Sequence, residues 1–344
     1  MSNPGDDTTV PDVVAAAKIS EARASVAPPA SKKAARADAP AAIELRSVSK
    51  HFGQVKAVQD VSLKVPEGSV YGLIGPNGAG KTTTFSMLAG YLSPSSGEIY
   101  VLDHRPSSTD GLKGKLGVLP QDALLPANEK VGEFLVYLAR LQGMPRTEAE
   151  EDARKMLAEV DGAGWWDTKC GTLSHGMAKR VGIAQAFLGK PRVVLLDEPT
   201  AGLDPKVAHH VREVIRRRRG RATLVVSSHN LQELEEICDH AAILDRGQLV
   251  VAGTIAELTA SADEVRIELA RGPVPEDQIR AVPGVKTVAW DKTARELTVT
   301  FEKKDADAEE MIKRVVLALY QADARVSGVS KGRGLEQRVI ELTE

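Results

Sequence analysis

GPNGAGKTTT, residues 75–84, follows directly on the apolar run Val70-Tyr71-Gly72-Leu73-Ile74. Its spacing satisfies G-x-x-x-x-G-K-[ST], with Gly75 and Gly80 as the fixed glycines, Lys81 as the cation and Thr82 as the hydroxyl. Glycines let a tight loop turn its backbone N–H groups inward. The helix that follows points its positive end at the same place, so main chain binds a polyanion. Lys81 then reaches the β and γ phosphates and Thr82 holds Mg²⁺. The loop lies between an apolar strand and the apolar positions Phe85, Met87 and Leu88 of a following helix, a context that an ordinary glycine-rich turn does not require.

The length of 344 residues corresponds to two domains, or to one large domain with an appendage. The 45 basic and 47 acidic residues leave a net charge of −2, so no global basic field calls for nucleic acid or an anionic membrane. The two cysteines, Cys170 and Cys238, lie far apart and outside any C-x-x-C pattern, which argues against a disulfide framework or a zinc site and points to the cytosol. The longest apolar runs, such as Val193-Val194-Leu195-Leu196, are far shorter than the about 20 residues of a spanning helix. The start, MSNPGDD, carries acids where a secretory leader is basic, and VVAAA at 13–17 is too short for its apolar region.

Residues 1–41, with APPASKKAARADAPAA at 27–42, have the composition of a disordered tail. From Ile43 the texture becomes that of strands: IELRSVSK, VQDVSLKVP, then SVYGLIG entering the glycine loop. A helix is expected over residues 82–92, then strands EIYVLD and KLGVLPQ. Apolar spacings of three and four in VGEFLVYLARLQG and TEAEEDARKMLAEV predict amphipathic helices within an inserted helical subdomain at about 122–188. Strands return with PRVVLLDEP and ATLVVSSH, followed by LQELEEICD and AAILDRGQLVVAGT. This alternation defines an α/β domain over residues 42–262 whose site lies at the strand C-termini. Residues 263–344 read as β-α-β-β-α-β with a closing helix, LEQRVIEL, the order of a small α+β ferredoxin-like accessory domain without a catalytic constellation.

The glycine loop needs a carboxylate for the metal shell and a group that activates water. Asp197 and Glu198, just beyond the strand Val193-Val194-Leu195-Leu196, supply both: Asp197 for the metal, Glu198 as general base. With these acids in place the chain resembles the nucleotide-binding subunits of ATP-binding cassette (ABC) transporters, a phosphate-loop NTPase fold. The resemblance rests on six ordered motifs over residues from about 43 to 260. Thr172-Leu173-Ser174-His175-Gly176-Met177 resembles the family signature, Pro120-Gln121-Asp122 the glutamine loop, Ala201-Gly202-Leu203-Asp204 the interface loop, and Ser227-Ser228-His229 the switch histidine.

The resemblance implies an ATPase. ATP would be bound by Phe52, stacked on adenine, by the loop residues Gly75, Pro76, Asn77, Gly78, Ala79, Gly80, Lys81, Thr82 and Thr83, and by Ser174 and Gly176 acting on the nucleotide of the other subunit. Mg²⁺ would be held by Thr82, Gln121 and Asp197, with Glu198, His229 and Lys81 catalytic. It further implies a homodimer closed over two ATP molecules and separate transmembrane permease subunits. These would hold the chain at the cytoplasmic face of the membrane, docked through the glutamine loop and residues around 124–141. Nucleic acid is not an expected partner.

Met177, where Gln is commoner, is familiar in the subgroup resembling ABC-2 type exporters. His175 stands where Gly is frequent, and Phe52 lacks the hydroxyl of the usual Tyr. A soluble ABC ATPase acting on ribosomes or DNA is the rival reading, against which stand the single cassette and the lack of coiled-coil or zinc-binding insertions. A phosphate-loop kinase leaves the signature helix unexplained. Arg216-Arg217-Arg218-Arg219 ends an expected helix before Gly220, where cations suit the helix dipole. The adjacent His209 and His210 are poorly spaced for a metal, and Trp165-Trp166 are expected to pack the loop leading to the signature helix.

Overall fold

The computed structural model describes residues 40–122, 124–259, 264–301, 308–331, 335, 339 and 340. The expected N-terminal tail falls outside them except for its last two positions, and β1 already begins at Ala41. In chain order the elements are β1 (Ala41–Phe52), β2 (Val55–Pro66), β3 (Val70–Ile74), α1 (Lys81–Leu88), β4 (Ser96–Val101), β5 (Leu116–Leu119), α2 (Val131–Leu141), α3 (Arg146–Glu159), α4 (His175–Ala186), β6 (Val193–Leu196), α5 (Pro205–Arg216), β7 (Thr223–Ser227), α6 (Leu231–Ile237), β8 (His240–Asp245) and β9 (Gln248–Thr254). There follow β10 (Glu264–Arg271), α7 (Glu276–Arg280), β11 (Val285–Asp291), β12 (Glu296–Phe301), α8 (Ala308–Gln321) and β13 (Arg325–Lys331).

The central sheet has the order β5-β6-β7-β3-β8-β9, parallel from β5 through β8 and closed by antiparallel β9. Every residue of β3, β6 and β7 is buried, as a parallel sheet covered on both faces requires. Successive side chains point to opposite faces. Val194 and Leu196 of β6 therefore join the cluster built with α2, α3, α4 and α5, whereas Val193 and Leu195 join the one built with β1, β2, β4 and α1. The strands β2-β1-β4 form a separate antiparallel sheet that caps this second face.

Helix α1 is shorter than expected, ending at Leu88 and not at residue 92. Gly90 N–H donates to Met87 O at 3.1 Å and Tyr91 N–H to Ser86 O at 2.9 Å, the two bonds of a Schellman stop. Gly90 sits at φ 77, and a Cβ there would stand 2.5 Å from Pro106 O, so the chain can leave the helix there only as glycine. The single stretch AAILDRGQLVVAGT resolves into the hairpin β8–β9, turned at Arg246 and Gly247, both with positive φ.

The C-terminal strands form an antiparallel sheet in the order β11-β12-β10-β13, with its own core of Val265, Ile267, Leu297, Val299, Val315 and Leu319 among others. Of the expected closing helix only Leu335, Val339 and Ile340 are described, and all three are helical. Leu335 and Val339 do not belong to the small sheet's core. They are buried in the cluster that contains Leu234 and Ile237 of α6, and Leu335 N–H donates to Glu235 Oε2 at 3.2 Å. The end of the chain thus returns to the ATPase-like unit. Leu335→Ala should lower the stability of that unit by about 2–5 kcal/mol, the usual range for a fully buried leucine. Urea unfolding followed by tryptophan fluorescence tests this, and a change within about 0.5 kcal/mol, as for a surface site, would contradict the packing.

Candidate functional site

Strand order and register gather the motif residues. Leu119, Leu196 and Val226 are neighbours across β5, β6 and β7, and Val226 pairs with Gly72 of β3. Gln121, Asp197, Glu198, Ser228 and His229 therefore all emerge within three positions of one line across the sheet, beside the glycine loop that leaves β3. This is the carboxyl edge where open α/β sheets bind ligands.

The loop's glycines are dictated by close approach. A Cβ on Gly75 would lie 2.3 Å from Leu244 O, and one on Gly80, at φ 99, would lie 2.6 Å from Ala57 O. Lys81 Nζ donates to Gly75 O at 2.6 Å and to Pro76 O at 3.1 Å, so the ammonium is held against its own loop. Burial lowers the Lys81 pKa, and the carboxylates of Glu198 and Asp197 draw it back up. Thr84 Oγ1 donates to Gly80 O at 2.9 Å, and Ala79 is buried beneath the loop.

A cleft of about 660 Å³ opens over this loop. Of the expected site residues, Phe52, Asn77, Gly78, Gly80, Lys81, Thr82, Thr83, Gln121, Asp197 and Glu198 line it. Gly75, Pro76 and Ala79 shape the loop behind this lining. Phe52 leaves its ring 47 % exposed on one wall, with Lys50 Nζ 5.1 Å from its centroid. Sequence reading missed Lys56, Gln59 and Arg246, which complete that wall. They belong to hairpin segments without a motif, which are brought together by Gln59 Nε2 donating to Arg246 O at 2.8 Å and Gln59 N–H donating to Gly247 O at 2.7 Å.

At the acids the organising side chain is Ser227, which the sequence motif ending at His229 contains without assigning it a role. Its Oγ accepts the Glu198 N–H at 2.9 Å and donates to Asp197 Oδ1. Asp197 is only 4 % exposed, and burial pushes its pKa up against the opposing pull of the Ser227 hydrogen bond. Glu198 adopts φ 51, a left-handed conformation that is uncommon for a side-chain-bearing residue. Its Oε2 lies 2.8 Å from His229 Nδ1, which pairs the two residues expected to be catalytic. Just beyond, Thr200 Oγ1 donates to Glu233 Oε2 at 2.6 Å and Arg212 binds Glu233 Oε1 at 2.8 Å, which anchors α6 to the segment after the acids.

Ser174 is the N-cap of α4, its Oγ accepting from Met177 N–H at 3.3 Å. Neither Ser174 nor Gly176 lines the cleft that contains Lys81. The signature packs instead on the chain's own interface loop: a Cβ on Gly176 would meet Leu203 Cδ2 at 3.4 Å, and one on Gly202 would meet His175 Cε1 at 3.1 Å.

The arginine run is structural. Arg216 binds Glu213 and Glu236, Arg219 binds Asp239, and Arg218 binds Glu159 while its guanidinium lies 3.8 Å over the Phe187 ring. His210 Nε2 lies 2.8 Å from Glu159 O. Trp166 packs under Gly132 of α2 with Arg154 over its ring, and Arg180 of the signature helix stacks on Trp165. Among the described residues no cluster of three or more His, Cys, Asp or Glu could hold a metal by itself.

Comparison with known proteins points the same way as the geometry. The family model described as ABC transporter matches residues 58–201. The uncharacterized ABC transporter ATP-binding protein YhaQ of Bacillus subtilis is 34% identical over 264 residues, 76% of this chain and 87% of that protein. The Nod factor export ATP-binding protein I of Burkholderia lata is 35% identical over 237 residues, 68% of this chain and 78% of that protein. A solved structure described as an ATP binding subunit of an ABC transporter superposes with a TM-score of 0.59 at 28% identity, covering 63% of this chain and 91% of that one.

Because the folded state raises the Asp197 pKa, Asp197 contributes stability that is present while it is protonated and lost as pH rises through the folded value. Asp197→Asn should therefore melt at or above the parent's Tm near pH 8 without nucleotide. The gap should narrow as the pH is lowered and a growing share of the parent carboxyl is protonated. A lower Tm for the variant at the alkaline end would show that ionised Asp197 is fully compensated.

Proposed function

The chain belongs to the ABC transporter family as an ATP-binding ATPase subunit, and on that premise we propose that it drives an ABC-2 type exporter. Two copies close over two ATP molecules, and their closure works separate transmembrane permease subunits from the cytoplasmic face. The observation that carries the reading is the grouping of Lys81, Asp197 and Glu198 in the lining of one glycine-loop cleft, with Glu198 bonded to His229, which lies outside that lining.

Lys81 exchanges its two loop carbonyls for phosphate oxygens when nucleotide enters, and the loop N–H groups and the N-terminus of α1 take the remaining charge. Phe52 gives adenine an exposed aromatic face. The donors Thr82 Oγ1, Gln121 and Asp197 are oxygens, and one carboxylate with substrate phosphates is a typical Mg²⁺ setting. When bound, that ion neutralises charge on the phosphates. Glu198 has one carboxylate oxygen committed to His229, which leaves Oε1 to take a proton from the attacking water. While Glu198 is ionised, His229 Nδ1 is the donor in that pair, so a neutral His229 offers only an acceptor at Nε2. The ring must therefore be doubly protonated, or release Glu198, before it donates to a γ-phosphate.

The dimer reading is supported by the position of Ser174 and Gly176 outside the lining of the chain's own cleft, where a second chain would bring its own pair to the nucleotide. The reading of separate permeases is supported by the described residues, among which no helix is long and apolar enough to cross a membrane. Docking uses the glutamine loop and the residues around 124–141 that follow it, where Leu124, Tyr137 and Leu141 leave large apolar side chains exposed. Export is supported by the named activity of the Burkholderia lata relative.

Glu198→Gln should keep ATP binding while turnover falls by about two orders of magnitude or more, measured by phosphate release. Wild-type turnover would remove Glu198 as the base. Lys81→Ala should lose nucleotide affinity, and near-normal hydrolysis would sink the glycine-loop assignment. The tagged Glu198→Gln chain, trapped with ATP and Mg²⁺ in native membranes, should co-purify with a polytopic membrane protein. Ribosomal proteins or DNA without one would overturn the transporter reading.

A further inference from the structure

One buried cation near the site has no part in the mechanism above. Lys179, in the second turn of α4, is 5 % exposed, and its Nζ donates to the backbone oxygen of Gln121 at 3.2 Å. Among the described residues no carboxylate stands within ion-pair distance of it. The charges that face it from neighbouring elements are Asp197, Glu198 and Asp122, each acting at longer range. Burial depresses its pKa while those three carboxylates raise it. A lysine whose only role was packing would be poorly chosen here, because α4 otherwise buries Val181, Ile183 and Ala184, and a buried ammonium loses its water.

We propose that Lys179 is a positioning residue that fastens the glutamine loop of the chain's own cleft to its signature helix. This links the nucleotide held by one chain to the signature it offers its partner. The link is short and stiff. Lys179 lies five residues from Ser174 along an unbroken helix, about 7–8 Å of axial rise, so a shift of the Gln121 backbone is carried to the N-cap serine without passing through a flexible segment. The bond from Lys179 is to the main chain of Gln121, so it leaves the Gln121 side chain free for the cleft. The fastening itself is a property of one chain; its consequence for the partner rests on the dimer reading above.

The test uses the full chain carrying Glu198→Gln, with and without Lys179→Met or Lys179→Arg. Methionine keeps the aliphatic stem and removes the donor, whereas arginine keeps a donor. Binding of a fluorescent ADP, which tests folding and the glycine loop, should be retained in all three. The ATP concentration at the midpoint of dimerisation, read by light scattering, should rise about fivefold or more with methionine, the lower end of usual coupling between sites, and less with arginine. Independently of dimer formation, hydrogen exchange in the nucleotide-free chain should quicken with methionine in the peptides containing Gln121 and Ser174. An unchanged midpoint together with unchanged exchange overturns the proposal. If the parent Glu198→Gln chain does not dimerise with ATP, the dimer reading fails, and the exchange result alone decides whether Lys179 fastens the two segments.

Discussion

A parallel strand buried on both faces can present polar groups only past its end, and β6 is the strand on which this site is built. Its four residues alternate between two apolar clusters, with β5 and β7 on either side, so neither face nor edge admits a charge. The first residue after it, Asp197, still follows the ladder, donating its N–H to Leu119 O. The second, Glu198, leaves it: its N–H turns to Ser227 Oγ and its backbone crosses to positive φ. One serine at the end of the neighbouring strand thus separates two adjacent acids into a buried carboxylate and a more accessible one beside His229. The difference in role follows from that difference in surroundings.

The legibility of the chain divides along the same physical line. Where a side chain's role depends on its own segment, the sequence was sufficient. The glycine loop needs its glycines because Leu244 O and Ala57 O approach it too closely for a Cβ, and the strand-end acids stand out because apolar runs precede them. The end of α1 was misjudged by four residues because a pattern of apolar residues continued past Gly90, whose left-handed turn overrides it. Gln59 and Arg246 were not legible at all, and Ser227, though it stands in the motif that ends at His229, showed nothing of its tie to the acids. Their roles arise from partners 30 and 187 residues away in the chain, which no local pattern encodes.

The site also concentrates charge where folding alone would not put it. Lys81, Lys179 and Asp197 are all buried, and for each the dominant influence on its pKa is lost hydration. Lys81 finds two carbonyls, Lys179 one, and Asp197 one hydroxyl. Such partners satisfy hydrogen bonds without neutralising charge, so the charges keep a strong reach through a low-dielectric interior. For the two lysines such a cleft is incomplete in electrostatic terms until a polyanion enters, whereas the buried Asp197 carboxylate calls for a cation beside it.

The same reasoning bears on the end of the chain. The small C-terminal sheet carries its own core, yet Leu335 and Val339 lie in the cluster that holds α6. Helix α6 begins immediately after His229, is capped by Asn230, and is tied through Glu233 to Thr200 beyond the acids. A hydrogen bond from Leu335 to Glu235 fixes the neighbouring residue of that helix. Packing from the C-terminal segment therefore bears on the element that follows His229. Helix α6 is held at Glu233 through Thr200 and Arg212 and at Glu235 through Leu335, so His229 lies between a strand and a helix that each have fixed partners.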